Sequence, residues 1–296
     1  MSSPLRVLGL SVVAITLVAC SVAGSGPSAS PAATGIAYPT GASDLVLRLR
    51  YVGGFVAPAA HLVDLPVISV YGDGTAVVPG PVPAIYPGPA LPNLQRATIT
   101  PAGMQILLEA ARDAGLLEPD AHYDLVGIAD ASSAEFTLNA GGRIHTISAY
   151  ALMEASDAPQ GADPAVTEAR AKLARLQTQL GNLESLLGAE LGSWSSYQPD
   201  AIQLLVSAGA PDDGQGLTQE PLAWPLSTPL ATFGEALPTL FQGQRCGVVT
   251  GSDVDAVMPL LERANTLTPW TDDGASYGLI VRPLLPGEEG CSTAAE

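Results

Sequence analysis

The sequence predicts an α+β fold in two similar halves, each a small, mainly antiparallel sheet with a packed helix. Three features predict it: alternating segments with hairpin turns, amphipathic segments with helical period, and a partial repetition along the chain. We place the halves at residues 44–192 and 193–296. A mean hydropathy of +0.28 over 296 residues is enough to expect a buried core.

The first half is predicted to begin with a half-buried strand and a hairpin. Apolar and polar side chains alternate over residues 45–52, which is the period of a strand with one buried face. The runs Val67–Tyr71 and Thr75–Val78 flank Gly72-Asp73-Gly74, which predicts a tight turn between antiparallel strands. A second hairpin is expected within residues 134–150, around a turn that contains two glycines.

Two helices are predicted in the first half. Thr100 is a good N-cap ahead of Pro101, and Gly115 is expected to end this helix. A longer helix should run from Asp163-Pro164 to about Leu191. Its leucines are spaced three and four apart, which fits either packing on a sheet or a short coiled-coil seam. We favour packing, because the pattern is shorter than three heptads.

The second half repeats this alternation of strand and helix. A strand is expected at residues 201–206, a helix that begins near Ser252, and a closing strand at residues 277–285. Residues 96–110 and 245–264 each place Leu-Leu-Glu on a helix that follows a short β-branched run. This similarity favours two copies of one unit, although independent α+β segments could share the pattern by chance.

Residues 1–19 have the features of an export signal peptide. Residues 1–19 contain one positive charge and an apolar run of thirteen residues, shorter than the roughly twenty of a membrane-spanning helix. Leu17-Val18-Ala19-Cys20 resembles the lipobox of bacterial lipoproteins. The resemblance implies cleavage before Cys20, diacylglycerol on its thiol, and acylation of the new amine, for example by palmitate. An ordinary signal peptide or an uncleaved anchor is the alternative.

Residues 21–43 have the composition of a flexible tether.

Charge limits the partners that we expect. The net charge of −17, with no cluster of Lys or Arg, disfavours binding to nucleic acid. We expect contact with a membrane through the lipid anchor, on the extracytoplasmic face of the cell membrane. A second protein of the envelope or a small molecule is the other partner class. No sequence motif implies a cofactor.

Two cysteines remain once Cys20 carries lipid. Cys246 and Cys291 are an even pair, and in an oxidising compartment we expect them to form a disulfide. Free thiols or a metal-binding pair are the alternatives. Neither cysteine has a neighbouring histidine or a CxxC spacing, so the disulfide is preferred.

No motif assigns a catalytic residue or a metal site. The string Gly274-Ala275-Ser276-Tyr277-Gly278 matches a nucleophile elbow, but a predicted strand follows it and no histidine lies downstream, so a turn is expected. His122 has Asp120 and Asp124 as neighbours and could act as a base or a ligand, or could lie in a solvated loop. His145 is expected on the outer face of its strand.

The proline-rich segment of residues 79–92 is the best candidate contact surface. It should be extended, and it presents Ile85 and Tyr86 on a stiff loop that loses little entropy on binding. The alternative is a loop packed against its own domain. The order of elements over residues 67–150 also resembles an uncharacterised domain of exported bacterial proteins. That resemblance implies a small α+β domain and transfers no catalytic residues.

These observations favour a membrane-anchored, non-enzymatic binding or scaffold module. The alternatives are a receptor for a small ligand or a metal, with its site between the two halves, and an envelope hydrolase without a recognisable motif. A histidine that converges with two carboxylates in one cleft would favour the enzyme. A sizeable apolar pocket at the junction of the halves would favour the receptor.

Overall fold

The predicted α+β class is confirmed by the computed structural model. The structure describes residues 35–125, 127–154, 163–238, 241 and 243–291. Among these residues, two mainly antiparallel sheets each pack one face against helices. The predicted signal peptide, the lipidated Cys20 and most of the predicted tether lie outside the described residues.

The first sheet has eight strands in the part of the chain that the structure describes. They are β1 (Leu45–Gly53), β2 (Ile68–Tyr71), β3 (Thr75–Pro79), β4 (Leu94–Thr98), β5 (Ala121–Tyr123), β6 (Ser132–Ala140), β7 (Arg143–Tyr150) and β8 (Ser195–Ser196). Their order is β5-β7-β6-β1-β2-β3-β4-β8, and only β5 and β7 are parallel. β8 lies after residue 192, the predicted end of the first half, yet it pairs with β4.

Both predicted hairpins are present, as β2–β3 and β6–β7. The second hairpin turns at Gly141 and Gly142, whose φ angles are +63° and +87°. Two consecutive residues with positive φ are what a tight hairpin turn requires, and glycine adopts them without steric cost. The glycines therefore fix the register of the whole β6–β7 ladder.

Four α-helices are described in the first half: α1 (Pro58–Val63), α2 (Pro101–Asp113), α3 (Pro164–Leu180) and α4 (Leu183–Leu187). Thr100 caps α2 as predicted, because its hydroxyl accepts a hydrogen bond of 3.2 Å from the Gly103 amide. The prediction of one helix from Asp163-Pro164 to about Leu191 is wrong. The helix ends at Leu180, and Asn182 starts α4 by accepting a hydrogen bond from the Ser185 amide.

The helices pack on one face of the first sheet. The five leucines that repeat along α3 and α4 are all buried there, beside residues of α2 and the central strands. This is the packing on a sheet that the sequence favoured, and it persists across the break because the apolar spacing continues through it.

The second sheet has six strands among the described residues. They are β9 (Ala201–Ala208), β10 (Leu222–Ala223), β11 (Glu235–Ala236), β12 (Arg245–Thr250), β13 (Trp270–Asp272) and β14 (Ala275–Pro283), in the order β10-β13-β14-β9-β12-β11. One helix, α5 (Ser252–Leu261), packs on it through Val254, Val257 and Leu261. The remaining core is aromatic, with Trp224 edge-on to both Phe233 and Trp270.

The two sheets are joined by residues 284–291, which we call the strap. Leu285 in the strap packs with Tyr71, Val77 and Leu94 of the first sheet in a small apolar cluster. The Tyr197 hydroxyl, next to β8, donates a hydrogen bond of 2.9 Å to the Leu284 carbonyl. The strap therefore inserts one large apolar side chain between the sheets and is held at its start by the first sheet.

Polar contacts hold the rest of the strap. The Arg282 guanidinium donates to both Glu288 carboxylate oxygens, at 2.7 and 2.8 Å, with the two side chains only 11% and 21% exposed. The Gln203 amide donates to the Leu62 carbonyl and accepts from the Cys291 amide, both at 2.6 Å. A bidentate, largely buried pair of this kind has defined geometry as well as strength.

The strap ends in the predicted disulfide. Cys246 of β12 and Cys291 are joined, with their Cα atoms 5.7 Å apart. The bond closes a loop between positions 45 residues apart, which the chain-entropy model equates with about 4 kcal/mol of stability. The covalent link fixes the far end of the strap to the second sheet.

The raised pKa of Tyr197, which bonds to the strap, makes the stability of the protein depend on pH above 10. Burial, followed by the charges of Asp200 and Glu288, raises the pKa of Tyr197 from 10.0 to about 12. The unfolded chain therefore releases this proton first, and the free energy of unfolding should fall as the pH rises from 10 to 12.

We expect Tyr197→Phe to lose about 0.5–1.5 kcal/mol at pH 7, where the hydroxyl only donates its hydrogen bond. The variant should then show a shallower loss of stability between pH 10 and 12 than the wild type. Urea unfolding at several pH values measures both effects. Identical slopes in the two proteins would show that Tyr197 does not titrate in this way.

Candidate functional site

An open groove of about 440 Å³ lies on the helical face of the first sheet. Val67, Val78 and Gln95 line it from the sheet, and Leu180 and Leu183 line it from the junction of α3 and α4. The groove lies beside the break between α3 and α4, which the sequence did not predict. Its size and mainly apolar lining are those of small-ligand sites.

Two side chains give the groove its polar character. The indole N–H of Trp194 donates a hydrogen bond of 2.6 Å to the Glu184 carboxylate. Glu184 lies in the first turn of α4, where the helix dipole favours negative charge. Within the described residues Glu184 has no basic partner. The groove thus combines apolar walls, an aromatic ring and one uncompensated negative charge.

This groove lies within the first half, and the sequence did not single out any of its residues as functional. It is therefore a different place from the cleft between the halves in which the receptor hypothesis expected a ligand. A Trp that follows a helix by several residues gives no local signal for a site. Only the folding of residues 65–79, 95 and 180–194 against each other creates it.

The predicted contact loop has two parts. Ile85 and Tyr86 are 63% and 62% exposed, as a contact surface requires. By contrast, Gly88 and Ala90 bond to the segment after α5: Ala90 donates to the Ala264 carbonyl, and Gly88 accepts from the Thr266 amide. These bonds, and a hydrogen bond of 3.4 Å from the Tyr86 hydroxyl to the Asp213 carboxylate, join the loop to the predicted second half and not to its own domain, as the alternative had expected. A partner for Ile85 and Tyr86 stays a prediction.

Other exposed apolar side chains share this end of the sheet. Phe55 and Val56, which are 88% and 51% exposed, follow β1, whereas the proline-rich loop follows β3. β2 is antiparallel to both β1 and β3, so the carboxyl ends of β1 and β3 lie at the same end of the sheet. Pro79, at the end of β3, also lines the groove. This end of the first sheet therefore carries the groove and several exposed apolar side chains, a combination typical of an interaction site.

His122 forms an unexpected hydrogen-bonded chain. Its ring nitrogens lie 2.6 Å from the Ser148 hydroxyl and 2.8 Å from the Asp124 carboxylate. The parallel pairing of β5 with β7 places His122 opposite Ser148, a contact that the sequence did not predict. Asp120 turns away and accepts hydrogen bonds from Arg143 and from the Thr146 amide.

The chain Ser148–His122–Asp124 has the order of a hydrolase triad but not its setting. The side chains of His122 and Asp124 are 52% and 84% exposed, on an edge strand. Only one of the two predicted carboxylates contacts the ring. A serine nucleophile also needs donors aimed at the developing oxyanion, and the flanking strands already pair with β7. This geometry favours a role in holding the edge strand β5 in place.

The expectation for His145 is wrong. Its side chain points to the helical face and is 4% exposed, whereas Ile144 is 62% exposed. The His145 Nδ1 atom lies 3.1 Å from both the Arg143 Nε atom and the Glu118 carbonyl oxygen. In one tautomer Nδ1 accepts from Arg143, and in the other it donates to the Glu118 carbonyl, so the buried ring has a partner in either form. Alternation along the strand alone could not reveal this. No group of three or more metal-ligating side chains occurs in the described ranges.

Comparisons with protein-family models, with curated proteins and with solved structures give no match. The resemblance of residues 67–150 to an uncharacterised exported domain stays a prediction, as does the lipobox. None of the helices formed by the described residues has the length and apolar character needed to cross a membrane.

The charge of Glu184 and the ring of Trp194 predict that the groove prefers organic cations. We expect benzyltrimethylammonium to change the tryptophan fluorescence in a saturable way, because Trp194 is half-buried at the groove. Glu184→Gln should weaken this binding by roughly threefold, the effect of one partly solvated charge.

Glu109→Gln is the matched control, since Glu109 is an exposed glutamate on α2 outside the groove. Its affinity should equal that of the wild type. Equal affinities in the Glu184 and Glu109 variants, or a signal that never saturates, would argue against the groove as a cation site.

Proposed function

We propose that this chain is a lipoprotein held on the extracytoplasmic face of a membrane, and that its folded part is a non-enzymatic binding module. The observation that carries the anchor is the position of Cys20. It follows Leu17-Val18-Ala19 at the end of a short apolar run, where lipid transfer and cleavage require it. A thioether-linked diacylglycerol with a further acyl chain is sufficient for stable anchoring.

The disulfide supports export. Cys246 and Cys291 form a bond, and such structural bonds persist mainly in oxidising compartments. The third cysteine, Cys20, is the one that the lipobox pattern would modify. An exported lipoprotein would therefore use all three cysteines and leave no free thiol.

The groove end of the first sheet supports the binding role. It joins a mainly apolar groove to exposed apolar loops, and rigid loops of this kind bind with little loss of entropy. The described chain begins near the other end: the Ala37 carbonyl accepts from the Gly141 amide in the β6–β7 turn, and Gly72 in the β2–β3 turn lies against Pro39. The first described residues therefore lie at the opposite end of the first sheet from the groove.

The triad-like chain at His122 does not outweigh this assignment. Its exposed side chains would act on a substrate in full contact with water, whereas catalytic bases gain most from a site that excludes water. A binding protein needs only the groove and the loops.

Cys20→Ala tests the anchor. In the native host, the wild type should fractionate with membranes and carry acyl mass on the peptide that begins at Cys20, whereas the variant should lack this mass and become soluble or remain uncleaved. Ser21→Ala is the control and should remain acylated. A wild-type protein that is soluble and unacylated would refute the anchor.

A further inference from the structure

We propose that a second cleft, on the other face of the first sheet, binds a small oxyanion such as a phosphate, sulfate or carboxylate group. The cleft has a volume of about 200 Å³ and is lined by Thr75, Arg96, Ala97, Thr98, Ser193 and Ser195. One guanidinium thus stands among four hydroxyl groups. None of the lining residues carries a negative charge.

The strand register brings these side chains together. Thr75 of β3 is opposite Thr98 of β4, and Arg96 of β4 is opposite Ser195 of β8. Directly opposed residues point to the same face of a sheet, as do residues two apart on one strand. Arg96 therefore has Ser195 beside it on β8, Thr98 two residues along β4 and Thr75 diagonally across β3, and the Ser195 hydroxyl lies 3.5 Å from the Arg96 carbonyl oxygen. Ser193 adds a hydroxyl from the segment that leads into β8.

Arg96 is available to a ligand. It is exposed, and within the described residues it forms neither an ion pair nor a side-chain hydrogen bond. The chain has 29 acidic and only 12 basic residues, yet no carboxylate of the described residues forms an ion pair with Arg96. Two carboxylates, Asp200 and Glu288, act on Tyr197 together with Arg96; Glu288 is engaged by Arg282, and Asp200 does not form an ion pair with Arg96.

The chemistry of the cleft selects its ligand. A guanidinium presents five donors in a planar fork that matches two oxygens of one anion, and hydroxyls can donate to the remaining oxygens. A metal ion would need carboxylates or imidazoles, which the lining lacks. The cleft is smaller than sites for whole drug-sized ligands. It therefore fits a single ionic group, either free or at the end of a larger molecule.

This cleft is separate from the groove. Groove residues Val78 and Gln95 alternate along β3 and β4 with Val77 and Arg96, so the groove and the cleft open on opposite faces. The proposal does not depend on the function of the groove or on the lipid anchor, and either can fail without the other.

Isothermal titration of the detergent-purified full chain with inorganic phosphate, sulfate and acetate tests the proposal. We expect saturable binding of at least one anion, with competition between them at constant ionic strength. Arg96→Gln should weaken this binding by about tenfold or more, the effect of losing a charge-assisted pair of hydrogen bonds. Thr98→Val, which keeps the shape and the charge, should weaken it by a smaller factor.

Arg263→Gln is the matched control, because Arg263 is also exposed and lies after α5, outside the cleft. It should bind like the wild type. Circular dichroism checks that each variant folds, and Thr98→Val keeps the test valid if Arg96→Gln does not fold. Absence of saturable heat with all three anions would overturn the proposal. Equal binding by the wild type and both cleft variants would show an adventitious ion only and would also overturn it.

Discussion

The strap, residues 284–291, joins the two sheets together with the proline-rich loop, whose residues Gly88 and Ala90 bond to Thr266 and Ala264. The apolar part of the strap is small, since one leucine, Leu285, packs with three buried side chains of the first sheet. Directional bonds therefore carry much of the connection: Gln203 and Arg282 of the second sheet donate to the Leu62 and Asp64 carbonyls, and the strap is held to the second sheet by Glu288 and by the disulfide at Cys291. Such bonds fix geometry more strongly than they add free energy, because charges lose hydration when they are buried.

The strap also decides what remains open on the first sheet. On the face away from the helices, it packs over Tyr71, Val77 and Leu94 and leaves the hydroxyl-lined cleft at Arg96 exposed. On the helical face, the groove beside Trp194 lies next to the junction of α3 and α4 and is open. The two candidate sites are thus parts of one sheet that neither the helices nor the second half cover. We expect the groove to bind organic cations and propose that the cleft binds oxyanions.

Turn and cap residues, which act over a few positions in the sequence, made much of the fold predictable. Paired glycines at 141–142 and the Thr100 cap act within a few residues, so the sequence shows them directly. The break after Leu180 was missed, because the leucine pattern continues through it and Gly181 is a weak signal alone. The groove, the His122–Ser148 contact and the Arg96 cleft were missed for another reason. Each is created by strand pairing or packing between segments far apart in the chain, and single-sequence patterns do not record such pairing.

The central claim is that the strap makes the two sheets unfold as one unit. Trp194 reports on the first half, and Trp270, which is 1% exposed, reports on the second core. Urea unfolding followed separately in two single-tryptophan variants should give coincident transitions while the strap is intact. Adding Cys246→Ser, Cys291→Ser and Leu285→Ala should separate them. Transitions that stay coincident after these changes, or that are already separate with the strap intact, would contradict the account.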